Sequence, residues 1–135
     1  MLAAMNLGAD AVQIGSRFIA SPESSAHQNF KEKVIACQEG DTILTLKELT
    51  PVRMIKNNFY KQLELAYSNN ADAEELKAIL GRGRAKKGMF EGDLIEGELE
   101  IGQVSANINK ILPAADIVNE IWEEFLTEKK RLADF

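Results

Sequence analysis

The chain has 135 residues, 45% of them hydrophobic and 27% charged, with a formal net charge of −5. That length suits one ordinary domain burying about two-thirds of its unfolded surface, and the acidic balance argues against general nucleic-acid binding, which favours a basic domain. No run approaches the roughly 20 apolar residues of a membrane helix, residues 1–7 lack the basic start of a secretory signal, and the single Cys37 excludes an intramolecular disulfide. A cytoplasmic protein with no membrane and no nucleic-acid partner is expected. In chain order, residues 2–7 read as the tail of a helix, with Gly8 where a C′ glycine ends one. Ala9-Asp10 leads into the apolar run Ala11-Val12-Gln13-Ile14, short enough to be a buried strand. Gly15-Ser16 then falls at the strand's C-terminal end, the side on which α/β barrels hold ligands, phosphate often on the last two strand–helix loops. Glycine lets the backbone come close to a phosphate, and N–H groups with a serine hydroxyl can donate to it. A complete eight-stranded barrel needs about 250 residues, so a chain opening on a helix tail and one barrel strand reads as starting inside a domain.

Ser21-Pro22-Glu23 has the pattern of a helix start, serine as N-cap and proline at N1, for a helix over 21–38 that carries Ala26, Phe30 and Val34 on one face and stops at Gly40. Cys37 lies on that face and reads as a buried, inert thiol. Thr42-Ile43-Leu44-Thr45 has the β-branched content of a strand, and residues 51–55 read as a second extended piece. Asn57 or Asn58 caps a helix with Phe59, Leu63 and Tyr67 on one side, and Asp72 with Glu75 forms a capping-box pattern for the next, closed by Gly81. Pro113 opens a last helix whose Ile117, Val118, Ile121, Trp122 and Phe125 make a broad apolar stripe.

Residues 81–105 hold six of the nine glycines, which points to irregular backbone packed closely. The basic run over 81–88 reads as a solvated turn, with an anion site as its alternative; it is not a Walker A loop, because no Gly-Lys-Ser/Thr closes it. The acids from Glu91 to Glu100 do not match an EF-hand and read as a solvated loop, so no metal is expected. His27, the only histidine, has no acid or nucleophile at a recognisable spacing and reads as a helix-surface residue or local hydrogen-bond partner. The residues by themselves lead to an α/β protein with a phosphate-binding turn.

The segment Gly8-Ala9-Asp10-Ala11-Val12-Gln13-Ile14-Gly15-Ser16-Arg17-Phe18 closely resembles the eighth barrel strand of the nitronate monooxygenase (2-nitropropane dioxygenase) family, which includes the flavin-dependent type II enoyl-acyl-carrier-protein reductase. The resemblance continues through Ser21-Pro22-Glu23-Ser24-Ser25-Ala26-His27, Asp41-Thr42 with Thr45, Arg53-Met54-Ile55-Lys56-Asn57, Gly102-Gln103-Val104-Ser105-Ala106 and Pro113-Ala114-Ala115. It implies the C-terminal fragment of a TIM-type (β/α)8 barrel plus a mostly helical C-terminal subdomain: residues 1–40 the last helix–strand–helix portion, 41–112 a substrate-side subdomain with the glycine-rich loop, 113–135 an amphipathic helix. It implies FMN as cofactor, its phosphate held by Gln13, Ile14, Gly15 and Ser16, where serine keeps the hydroxyl of the family's commoner threonine. Gly102, Gln103 and Ser105 are similar to the family's segment that folds back over the flavin and lines the substrate pocket. The family's catalytic histidine is expected upstream of Met1, so no catalytic residue is assigned here and His27 is not that base. The implied activity is oxidation of alkyl nitronates with oxygen, with reduction of an enoyl thioester by NAD(P)H as the alternative; the isolated chain is expected to be inactive, and either homo-oligomerisation or a missing N-terminal barrel portion is implied. A non-enzymatic module that binds a phosphate-bearing ligand or another chain is the remaining alternative, since a lone barrel strand has two open edges.

Overall fold

Thr42, Ile43 and Thr45 are β-branched and, in the computed structural model, which describes residues 1–133, they build strand β1 (Thr42–Thr45). It pairs antiparallel with β2 (Val52–Ile55), Thr42 opposite Ile55 and Thr45 opposite Val52. A third segment adds to the open side of β2: Ile55 N–H donates to Leu99 O at 2.9 Å, and Ile101 N–H donates to Arg53 O at 3.1 Å. Successive side chains of a strand point to opposite faces, so β2 serves two cores. Ile55 joins Ala20, Phe30, Val34, Leu99 and Ile101, while Met54 joins Leu46, Phe59, Leu63 and Leu76.

Around this ladder stand α1 (Leu2–Asn6), α2 (Ser16–Ile19), α3 (Gln28–Ile35), α4 (Asn58–Ser68), α5 (Ala73–Leu80) and α6 (Ala114–Ala133), with a π turn at Lys86–Phe90 and a 3-10 turn at Gln103–Asn107. Local signals set α4 and α5. The Asn57 side chain accepts from Tyr60 N–H at 3.1 Å, and Asp72 and Glu75 complete a reciprocal capping box. Gly8, φ +94°, stands just beyond the end of α1, in a left-handed conformation that suits glycine.

Three expectations are corrected. Residues 11–14 form no strand: they pair with nothing among the described residues, and Ala11, Gln13 and Ile14 are exposed. A strand exists only through its ladder, and among the described residues no strand pairs with this segment. The helix expected over 21–38 is Gln28–Ile35. The Ser21 hydroxyl donates to Phe18 O and accepts from Ser24 N–H, and Ser24 Oγ accepts from Ala26 N–H, so serine side chains hold the backbone in turns before any helix starts. The stripe on α6 is only partly covered: Ile117 and Phe125 are buried, whereas Val118 and Trp122 are 54% and 51% exposed. Asp134 and Phe135, the end of the expected terminal helix, lie outside the described residues. Among the described residues no helix is long and apolar enough to cross a membrane.

The glycine-rich stretch is closely packed, as expected. A Cβ on Gly97 would overlap the Cα of Gly88 and the carbonyl of Asp93, and one on Gly88 would come within 2.7 Å of Glu98 O. The basic run is less solvated than expected at Arg84. Its guanidinium donates to Leu80 O, Ile79 O and Glu96 O at 2.8–2.9 Å and lies 4.3 Å over the Phe59 ring. It closes the free carbonyls at the end of α5, the groups a helix C-terminus leaves unsatisfied.

Candidate functional site

Ser16 opens α2, and the peptide N–H of Gly102, 86 residues away, donates to its Oγ at 3.2 Å. The approach needs a glycine at 102, because a Cβ there would stand 2.7 Å from Ser16 Oγ. The ladder between β2 and residues 99–101 delivers Gly102 to this place, so the hairpin sets the geometry of the turn at Ser16. Gln13, Ile14 and Gly15 lie exposed just ahead of it, and a Cβ on Gly15 would meet nothing within 4 Å. Open backbone, a side-chain amide, a hydroxyl whose lone pair rather than proton is used by Gly102, and the unsatisfied N–H groups at the start of a helical turn form a donor set that fits a phosphate. Behind it the Arg17 guanidinium donates to Lys110 O at 3.2 Å and stands 3.9 Å from Glu120, tying α2 to the approach to α6.

The three residues expected on the substrate side are divided. Gly102 touches Ser16. Gln103 is exposed and lines a groove with Thr42, Arg53 and Asn107. Ser105 is fully buried, and its Oγ has no hydrogen-bond partner among the described residues. It sits near Cys37, a buried thiol whose pKa burial pushes up, in keeping with an inert core cysteine. Sequence reasoning met Arg53 only within the 53–57 stretch of the family resemblance and gave it no site role, and it did not single out Asn107. A lone arginine in a short strand carries no spacing signal, and only the hairpin turns Arg53 toward Thr42, whose hydroxyl accepts from it at 3.2 Å.

The family model described as Nitronate monooxygenase matches residues 1–124. The chain belongs to that family. A probable nitronate monooxygenase of Bacillus subtilis is 28% identical over 123 residues, which is 90% of this chain and 35% of the relative. One of Staphylococcus saprophyticus is 38% identical over 65 residues, 47% of this chain and 18% of the relative. A solved structure of FabK from Thermotoga maritima has a TM-score of 0.85 at 35% identity, covering 98% of this chain and 42% of that one. A mutant of the same FabK has a TM-score of 0.82 at 33% identity, covering 99% and 40%. The chain thus spans about a third of the length of the Bacillus relative and about two-fifths of the FabK chains.

The family-like stretch after α2 has a structural role at nearly every polar position. Ser21 and Ser24 make the turns, and Ser24 O and Pro22 O hold the Nζ of the buried Lys31 at 2.8 and 3.5 Å. Both carboxylate oxygens of Glu23 accept from Ala114 N–H, at 3.0 and 3.1 Å, placing an acid at the positive end of α6. His27 Nδ1 accepts from Asn29 N–H at 3.1 Å and so caps α3, and its ring lies where a Gly92 Cβ would be. The lone histidine is a local hydrogen-bond partner, the plainer of its two readings.

Titration is perturbed beside the glycine-rich loop. Glu98, 7% exposed, has its pKa raised to about 7, first by burial and then by the charge of Glu100, with Arg84 opposing. Asp93 is lowered to about 2, mainly by the hydrogen bond from Glu96 N–H, with Lys87 and Ile95 N–H adding to it.

Proposed function

We propose that this chain is the C-terminal part of a cytoplasmic FMN-dependent oxidoreductase that oxidises alkyl nitronates with oxygen. In this reading residues 1–40 belong to the last portion of a TIM-type barrel, 41–112 form the substrate-side subdomain, and 113–135 the terminal helix. Gln13, Ile14, Gly15 and Ser16 hold the flavin phosphate; Gly102, Gln103 and Ser105 belong to the segment facing the substrate, with Ser105 acting from within the core. FMN supplies two-electron chemistry at its isoalloxazine ring when bound. The chain's own contribution is positional: Ser16 and the open peptides at Gly15 donate to the phosphate, and the Gly102–Ser16 hydrogen bond holds the two segments together. That hydrogen bond carries the proposal, because it joins two stretches 86 residues apart that the family resemblance assigned to one ligand. The exposed apolar residues at Ile14, Val118 and Trp122 are in keeping with a surface that the remaining barrel or a second subunit covers.

Titrating the purified chain with FMN and following flavin fluorescence tests this. Saturable binding, weakened in both Ser16→Ala and Gly15→Val, is expected; binding that both substitutions leave unchanged would remove the phosphate assignment. The isolated chain is expected to oxidise no nitronate above free FMN, because the family's catalytic histidine is not assigned to any of its residues.

A second reading is that of an enoyl-acyl-carrier-protein reductase using NAD(P)H, favoured by the likeness to FabK over 98% of the chain. Assaying a full-length parent side by side with a nitronate and with an enoyl thioester plus NAD(P)H separates the two.

A further inference from the structure

Between the β1–β2 hairpin and the 3-10 turn lies a groove of about 570 Å³ lined by Thr42, Arg53, Gln103 and Asn107, with the exposed carboxylate of Glu39. None of Gln13, Ile14, Gly15 or Ser16 lines it. Arg53 is half-buried, and one guanidinium N–H is used by Thr42 Oγ1. Among the described residues no carboxylate pairs with it or with the exposed Arg82, whereas Arg17, Arg84 and Arg131 each have an acidic partner. A partly desolvated guanidinium with free donors in a concave site is built for an oxyanion, which its planar fork can grip through two parallel hydrogen bonds.

We infer that this groove binds a phosphate monoester of a small hydroxylated molecule, with Arg53 on the phosphate. Three observations define the class. Arg53 with the Gln103 and Asn107 amides offers more donors than a two-oxygen carboxylate uses, and suits the three terminal oxygens of a phosphate. The volume lies within the range of small-molecule sites and far exceeds a bare anion, leaving room for an organic body. Glu39 is an acceptor with no use for a second anion, and it pairs naturally with a hydroxyl on that body. The inference goes beyond the flavin reading and does not depend on it: the groove takes in Gln103 from the segment placed on the substrate side, but none of the four residues placed on the flavin phosphate.

Isothermal titration of the full chain with ribose 5-phosphate tests it, with ribose and inorganic phosphate as part-probes. Saturable binding of the ester is expected, weaker binding of inorganic phosphate, and none of ribose. Arg53→Ala should raise Kd on the order of tenfold or more, Arg53→Lys less, because a point charge replaces the fork. Gln103→Ala changes an exposed side chain, so it keeps the test valid should the Arg53 variants fold poorly; it should raise Kd a few-fold. Absence of saturation with the native chain, ribose binding as well as its phosphate, or an unchanged Kd in Gln103→Ala and Arg53→Ala would overturn the site. Inorganic phosphate binding as tightly as the ester would overturn the ester assignment, and displacement of the ester by FMN would show that the groove belongs to the flavin site instead.

Discussion

Glu98 is the residue whose environment most strongly governs its chemistry. Burial and the neighbouring Glu100 charge favour its neutral form, raising its pKa from the ordinary 4.5 to about 7. A carboxyl raised on folding contributes stability that is fully present below the unfolded pKa and is lost as pH rises through the folded one; the two values correspond to about 3 kcal/mol. The urea midpoint should therefore fall between about pH 5 and pH 8, and Glu98→Gln should flatten that fall. An unchanged slope in the variant would mean that another group causes it. Gly97 is constrained by space: a Cβ would press on the backbone of Gly88 and Asp93, neither of which is a flexible side chain. Gly97→Ala should cost about 1–3 kcal/mol in urea unfolding, and wild-type stability in that variant would mean that the loop shifts freely.

At the scale of elements, the contrast between α5 and α3 shows where local signals suffice. The Asp72–Glu75 box was readable because both hydrogen bonds are made within four residues, and the structure contains them both. Asp72→Ala should lower stability by about 1 kcal/mol, read from the urea midpoint. The start of α3 was misread because Ser21-Pro22 imitates a cap, while Ser21, Glu23 and Ser24 are instead engaged by Phe18, Ala114 and Ala26, one of them far away in sequence. Arg84 likewise looked like one cation in a basic turn. Its three carbonyl partners span the end of α5 and the glycine-rich loop, so Arg84→Ala should cost about 2–3 kcal/mol, more than the loss of a single exposed ion pair of about 0–1 kcal/mol. A loss no larger than that of Lys86→Ala, which removes an exposed pair to Glu91, would refute the capping role.

Over the whole molecule, two clusters share β2, and α6 belongs to neither. The chain has one cysteine and one tryptophan, which makes the difference measurable. Cys37 is buried in the first cluster, and Trp122, stacked on Phe125 with centroids 5.3 Å apart, reports on α6. Trp122 fluorescence should change at lower urea than thiol labelling of Cys37, since α6 has few buried anchors beyond Ile117 and Phe125. Coincident transitions would mean that α6 is part of one cooperative unit.

The sequence by itself determined the family, through motifs spread from Gly8 to Ala115, and it determined the hairpin, α4 and α5, whose caps and apolar spacing act within a few residues. It also singled out Ser16 as a phosphate donor from the glycine–serine turn alone, and Gly102 through resemblance. Tertiary structure decided the rest. It brought Ser16 against Gly102, divided Gly102, Gln103 and Ser105 among a contact, a groove and a core, and left residues 11–14 without a ladder. The reason is range: a cap or a helical face is satisfied by neighbours a turn away, whereas a strand, a groove and a buried hydroxyl depend on segments that only the folded chain brings together.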